Sequence, residues 1–177
     1  MLHIAPPIPE PDESVNSCAK RASKPAVGVE INDLWPSLLG HGLIAFGSIE
    51  HGVSLAYSHV APQRPSSKFD RLPLSGRIDK IIELIEKSQA PQFDDLKAAL
   101  TAAKPLLPLR NHIAHNPVML DVFVFGTEFV TTQTIPSLQS GGRTMTFSDA
   151  NVFVAEAKEV SLNIYAALAR LTQLLQL

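Results

Sequence analysis

The sequence predicts a mainly helical, up-and-down bundle with a small β-hairpin inserted before its last helix, on three observations. Apolar residues recur at steps of three and four through most of the chain, the mark of helices with one buried stripe. A stretch rich in β-branched and aromatic residues, from about Met119 to Phe147, interrupts that period. The helical period then returns and runs through residues 151–175. With 177 residues, 45% of them hydrophobic, the chain suits one domain, residues 31–177, behind a proline-containing flexible arm, residues 1–30.

The first long helix is read from Trp35 to Ala61, where Leu38, Leu39, Leu43, Phe46, Ile49, Val53, Ala56 and Tyr57 follow the helical period. Gly40, Gly42, Gly47 and Gly52 fall inside it, each costing about 1 kcal/mol against alanine, so a close helix partner is expected at Gly47 and Gly52. The segment APQRPSSKFDRLPLSG reads as a loop, with Ser75 the expected N-cap of a helix from Gly76 to Ser88 that buries Ile78, Ile81, Ile82 and Ile85. Pro91 starts the next helix, built on Phe93, Leu96, Ala99, Leu100 and Ala103. Pro105 and Pro108 interrupt it, so a restart is expected before Leu109, with a short turn carrying Arg110 to His115. Asn116 precedes Pro117 and is pushed out of helical geometry, which ends that turn. The segments VMLDVFVFG, FVTTQTIPSL and RTMTFSD form the hairpin or meander, with Gly141-Gly142 as a tight turn. Ser148 or Asp149 caps the final helix, which is apolar around most of its circumference, as expected if its second side meets another subunit.

Composition narrows the function classes. Fifteen Lys and Arg against seventeen Asp and Glu give a formal charge of -2, which excludes a broad electrostatic footprint for nucleic acid or anionic membrane. The single cysteine, Cys18, makes neither an internal disulfide nor a thiolate zinc site, and points to a reducing, cytoplasmic setting. Residues 1–30 lack a continuous apolar region of the signal-peptide kind, and the longest uncharged stretch, Leu34 to Ile49, falls short of the roughly 20 apolar residues that span a bilayer. No membrane partner is expected.

The informative segment is Leu109-Arg110-Asn111-His112-Ile113-Ala114-His115-Asn116-Pro117. Four side chains that bind phosphate or move protons fall within six residues. On a helix, Asn111 and His115 differ by about 40° and share a face, while the long Arg110 side chain, about 140° away, curls back toward a shared phosphate. His112 lies one turn before His115.

Arg110, four intervening residues and His115, with Asn111 after the arginine and Ala114 before the histidine, resembles the Arg-x(4–6)-His motif of HEPN domains (higher eukaryotes and prokaryotes nucleotide-binding). The resemblance covers about residues 35–116 and the last helix. It implies a helical homodimer whose two motifs face each other, needing no metal or other cofactor. In many members it also implies endoribonuclease activity, with RNA or a nucleotide as ligand and an antitoxin or regulatory protein as partner. Arg110, His115 and Asn111 would then be the catalytic set. Asn116-Pro117 after the histidine and the β insertion both depart from the family pattern.

Other residues carry weaker signals. Glu50, in the middle of the first helix beside His51, is a candidate to orient His115 or pair with Arg110, and its bland alternative is a solvated carboxylate. His112 is a candidate support. Arg64, Lys68, Arg71, Arg77 and Lys80, set against Asp70 and Asp79, give residues 64–80 a local charge of +3 that suits an RNA backbone or a merely solvated loop. His112 and His115 have the spacing of two zinc ligands but no third ligand nearby in sequence, and Arg-Asn-His near a helix end is also a common structural cap.

Overall fold

A computed structural model describes residues 34–61, 67–125, 128–137, 142 and 144–174. The N-terminal arm, Cys18, Arg64 and Gly141 lie outside the described residues.

Helix α1 spans Leu34–Val60, close to its expected limits, and buries Phe46, Ile49, Val53 and Ala56 along one stripe. Only part of the glycine expectation holds. A Cβ on Gly52 would stand 2.7 Å from Ile164 Cγ2, so the close approach there is real. The other contact is at Gly42, where a Cβ would meet Phe153 at 3.0 Å and Val154 at 3.1 Å. Gly47 instead faces open space. It follows Phe46 by one residue, about 100° around the helix from the buried stripe.

The expected loop contains a short helix, α2 (Ser67–Asp70), because Phe69 is buried against Tyr57, with ring centroids 3.9 Å apart. Helix α3 (Leu74–Ser88) begins two residues earlier than the sequence suggests. Pro73, with φ -59° and ψ 157°, holds the N-cap position without a side-chain cap, and Ser75 lies inside the first turn. Leu74, Ile78, Ile81 and Ile85 are buried, while Ile82 is half-buried. The helix stops at Gln89, whose φ of 49° makes the left-handed turn usually given to glycine.

A 3-10 turn, Pro91–Phe93, leads into α4 (Asp94–Ala103), where Asp94 and Asp95 complement the positive end of the helix dipole. Pro105 separates α4 from α5 (Leu106–His115). Helix α5 is thus a full element rather than the short turn expected after Leu109. Pro108 falls in its first turn, where a missing amide hydrogen costs no intrahelical bond. Its end at His115 agrees with the Asn116-Pro117 signal, and the Asn116 amide and Nδ2 both donate to the His112 carbonyl, at 3.2 and 2.7 Å.

Strands β1 (Met119–Phe125), β2 (Glu128–Ile135) and β3 (Met145–Thr146) form the expected antiparallel meander in the order β1-β2-β3. Val122 pairs with Thr131, and Thr134 with Thr146. Helix α6 (Phe147–Leu174) starts ahead of the predicted Ser148 or Asp149 cap. Thr146 is the cap. Its amide donates to Asp149 Oδ2 at 2.9 Å and the Asp149 amide donates to Thr146 Oγ1 at 3.2 Å, a reciprocal capping box readable in Thr-Phe-Ser-Asp. Phe153, Ala157, Ile164, Leu168 and Leu171 bury one face of α6, and Val152 and Leu162 remain exposed in the single chain.

The described residues fall into two compact units. One contains the start of α1 through Ser37 together with His112–Asp149, and so holds the sheet; within it Trp35 packs edge-on against Phe147, centroids 5.2 Å apart. The other contains Leu38–Asn111 and the chain from Ala150 onward. Within it α1 and α6 touch at Gly42 and Gly52, and Phe46 stacks on Phe153 at 6.4 Å. Among the described residues no helix is long and apolar enough to cross a membrane.

Gly52→Ala should lower stability by about 1–2 kcal/mol, because the clash with Ile164 outweighs the gain in helix propensity. Gly47→Ala should raise it by about 1 kcal/mol. Urea unfolding of both variants tests the packing, and shifts of the same sign would contradict it. Glu83 offers a pH test: hydrogen bonds from Lys80 and then Lys87 hold its pKa at about 2. Because the folded value is depressed, this contribution to stability is present above the ordinary carboxylate pKa and lost as pH falls toward about 2. Glu83→Gln should flatten acid unfolding in that window alone.

Candidate functional site

Helix α5 presents its polar residues to different surroundings. Arg110 and Asn111 belong to the unit of α1, α3 and α6, and His112 and His115 to the unit with the sheet.

Three elements meet around Arg110. Its guanidinium carbon lies 5.8 Å from the centroid of the Phe46 ring on α1, a cation-π contact. One turn further along α1, Glu50 Oε1 approaches Arg110 Nη2 at 3.8 Å, the pairing weighed for this carboxylate from the sequence. That separation gives Coulombic attraction without a hydrogen bond. Nη1 donates to Asn111 Oδ1 at 3.3 Å. A guanidinium has five N–H donors, so most of Arg110's donor capacity is left for a ligand.

These residues line an open cavity of about 210 Å³. Phe46, Glu50, Arg110 and Asn111 line it together with Ser75 and Arg77 from the start of α3. The Arg77 Nε is buried and has no hydrogen-bond partner among the described residues. Arg77 belongs to the cationic run read from the sequence, but that run is not one uniform surface. Lys68 and Arg71 are exposed, while Lys80 is engaged by Glu83 at 2.8 Å. Arg64 lies outside the described residues. The sequence already puts Arg77 in the first turn of a helix; what it does not show is that Arg77 lines the same cavity as Arg110, and Pro73 only moves the start of α3 ahead of Ser75.

In the other unit, His112 Nε2–H donates to the Ile135 carbonyl of β2 at 2.8 Å. This fixes its tautomer and ties α5 to the sheet. His115, on the last turn of α5, is exposed. An imidazole there is within reach of solvent or a ligand. His51, beside Glu50, bonds through Nδ1 to the Tyr165 hydroxyl at 2.7 Å. Among the described residues no group of three His, Cys, Asp or Glu is placed to hold a metal ion.

His112→Ala should cost about 1–3 kcal/mol, because it leaves the buried Ile135 carbonyl without its donor. His115→Ala, at an exposed position, should change stability by less than about 0.5 kcal/mol. Thermal unfolding separates the two, and an equal loss in both would contradict this assignment.

Set beside known proteins, the chain matches no family model, no curated protein and no solved structure, so the reading of the site rests on its own geometry.

Proposed function

We propose that this chain is a HEPN-like, metal-independent endoribonuclease that works as a homodimer in the cytoplasm, in a toxin or defence setting with an antitoxin or regulatory protein as partner. The observation that carries the reading is the state of Arg110. Its guanidinium is held by Phe46 and drawn by Glu50, yet keeps donors toward an open cavity, while His115 stands exposed at the end of the same helix.

The chemistry follows from those groups. Neutral His115 takes the proton of a ribose 2′-hydroxyl, and the 2′-oxygen attacks the adjacent phosphorus. As the P–O5′ bond breaks, the imidazolium of the partner subunit's His115 protonates the leaving oxygen. The products are a 2′,3′-cyclic phosphate and a 5′-hydroxyl end. Arg110 binds the phosphate oxygens as negative charge builds, and Asn111 positions the Arg110 guanidinium through its side-chain oxygen. One chain contributes one such histidine, so a two-fold axis supplies the acid and the base together.

A second reading, a non-catalytic nucleotide-binding or regulatory interaction module with the same fold, is favoured by one feature. His112 and Asn116 are both used structurally at the end of α5.

Incubation of the purified protein with a mixed RNA pool in excess chelator separates the two. The ribonuclease reading expects cleavage with cyclic-phosphate ends, reduced by about 10²–10⁴-fold in His115→Ala and lost in Arg110→Ala, with both variants folded. Intact RNA, or cleavage at an undiminished rate in either variant, would contradict it.

A further inference from the structure

The cavity beside Arg110 has a second cationic lining residue, Arg77, that the reaction above does not use. Arg77 lies in the first turn of α3, and its guanidinium makes no ion pair or hydrogen bond among the described residues, although its Nε is buried. A buried donor without an acceptor is costly, and a charged one more so. Among the described residues Glu50 is the only carboxylate lining the cavity, and that group already faces Arg110. Two guanidiniums therefore share one carboxylate.

The start of α3 adds to this imbalance. Pro73 provides no side-chain cap, and the first intrahelical bond runs from the Arg77 amide to the Pro73 carbonyl at 3.0 Å. The amides before it have no intrahelical acceptor, and Leu74 and Ser75, which carry two of them, border the same cavity. The 15-residue helix sets the positive end of its dipole there. At about 210 Å³ the cavity is smaller than the roughly 300–1,000 Å³ of pockets that enclose a drug-sized ligand, so it suits a compact group rather than a whole nucleotide.

We infer that this cavity is a phosphate-binding subsite in which Arg77 and the N-terminus of α3 hold one face of a phosphate group and Arg110 the other. Arg77 is then a substrate-binding residue outside the Arg110-to-His115 segment. The inference deepens the ribonuclease reading by naming what grips the phosphate, but binding does not require that cleavage occurs. The phosphate comes either from a terminal monoester or from an internal phosphodiester of RNA.

Calorimetric titration with inorganic phosphate tests the subsite directly. Saturable binding is expected, weakened about tenfold or more in Arg77→Gln, and in Arg77→Lys as well, because an ammonium does not replace the planar fork. Circular dichroism of each variant checks that it is folded. Undetectable binding by the wild-type chain, or equal binding by folded Arg77→Gln, would overturn the inference. A short non-cleavable oligonucleotide with and without a 5′-phosphate identifies the source: preference for the phosphorylated form assigns the subsite to a terminal monoester, and equal affinity for both assigns it to the diester. A protein that binds phosphate but leaves RNA intact keeps this inference and refutes the ribonuclease. One that cuts RNA while Arg77→Gln binds phosphate normally does the reverse.

Discussion

The close approach of α1 and α6 at Gly42 and Gly52 is the constraint on which the Arg110 side of the site depends. Without side chains at these positions, α1 settles onto Phe153, Val154 and Ile164. Phe46 and Glu50 lie between the two glycines in sequence, so their positions are set by the same contact. Phe46 then serves twice, stacked on Phe153 in the core and lying under the Arg110 guanidinium. Packing that looks purely structural thereby fixes the platform for a charged side chain, and a shift of α1 would move Phe46 and Glu50 together.

Along α5, Arg110 and His112, two residues apart, point to different surroundings, as a helical period requires. Arg110 faces the cavity, His112 anchors to the Ile135 carbonyl and His115 is exposed. A run of polar residues that reads as one functional cluster in sequence therefore divides into a ligand-facing cation, a structural tether and an accessible imidazole. The separation matters for mutagenesis, because His112 is engaged by the Ile135 carbonyl while His115 is exposed.

The helices and the meander were legible because their signal is local: apolar steps of three and four, then β-branched runs. Boundaries were less so. Thr146, Ser148 and Asp149 all fit a cap by residue type, and only the reciprocal bonds between Thr146 and Asp149 distinguish them. Pro108 looked like a breaker because its effect depends on whether it falls in a first turn or a helix interior. Gly47 lies one step of helical rotation from the buried stripe, too small a difference for apolar periodicity to resolve, and the prolines and serines around Phe69 mask α2. At the site, Arg110, Asn111, His115 and the Glu50 pairing were readable from helix geometry. Arg77 was visible only as one of several cations, because its meeting with Arg110 is made by tertiary packing and leaves no local pattern in the chain.

What unites these features is a cavity to which the described residues bring two guanidiniums, one carboxylate and a helix start without a side-chain cap, a combination that calls for an anion. The most direct measurement is a crystal structure obtained with tungstate, a phosphate mimic located by its anomalous scattering. The account predicts one tungstate within hydrogen-bonding distance of both the Arg77 and the Arg110 guanidiniums. A cavity without tungstate, with Arg77 turned to solvent or paired to Glu50, would contradict it.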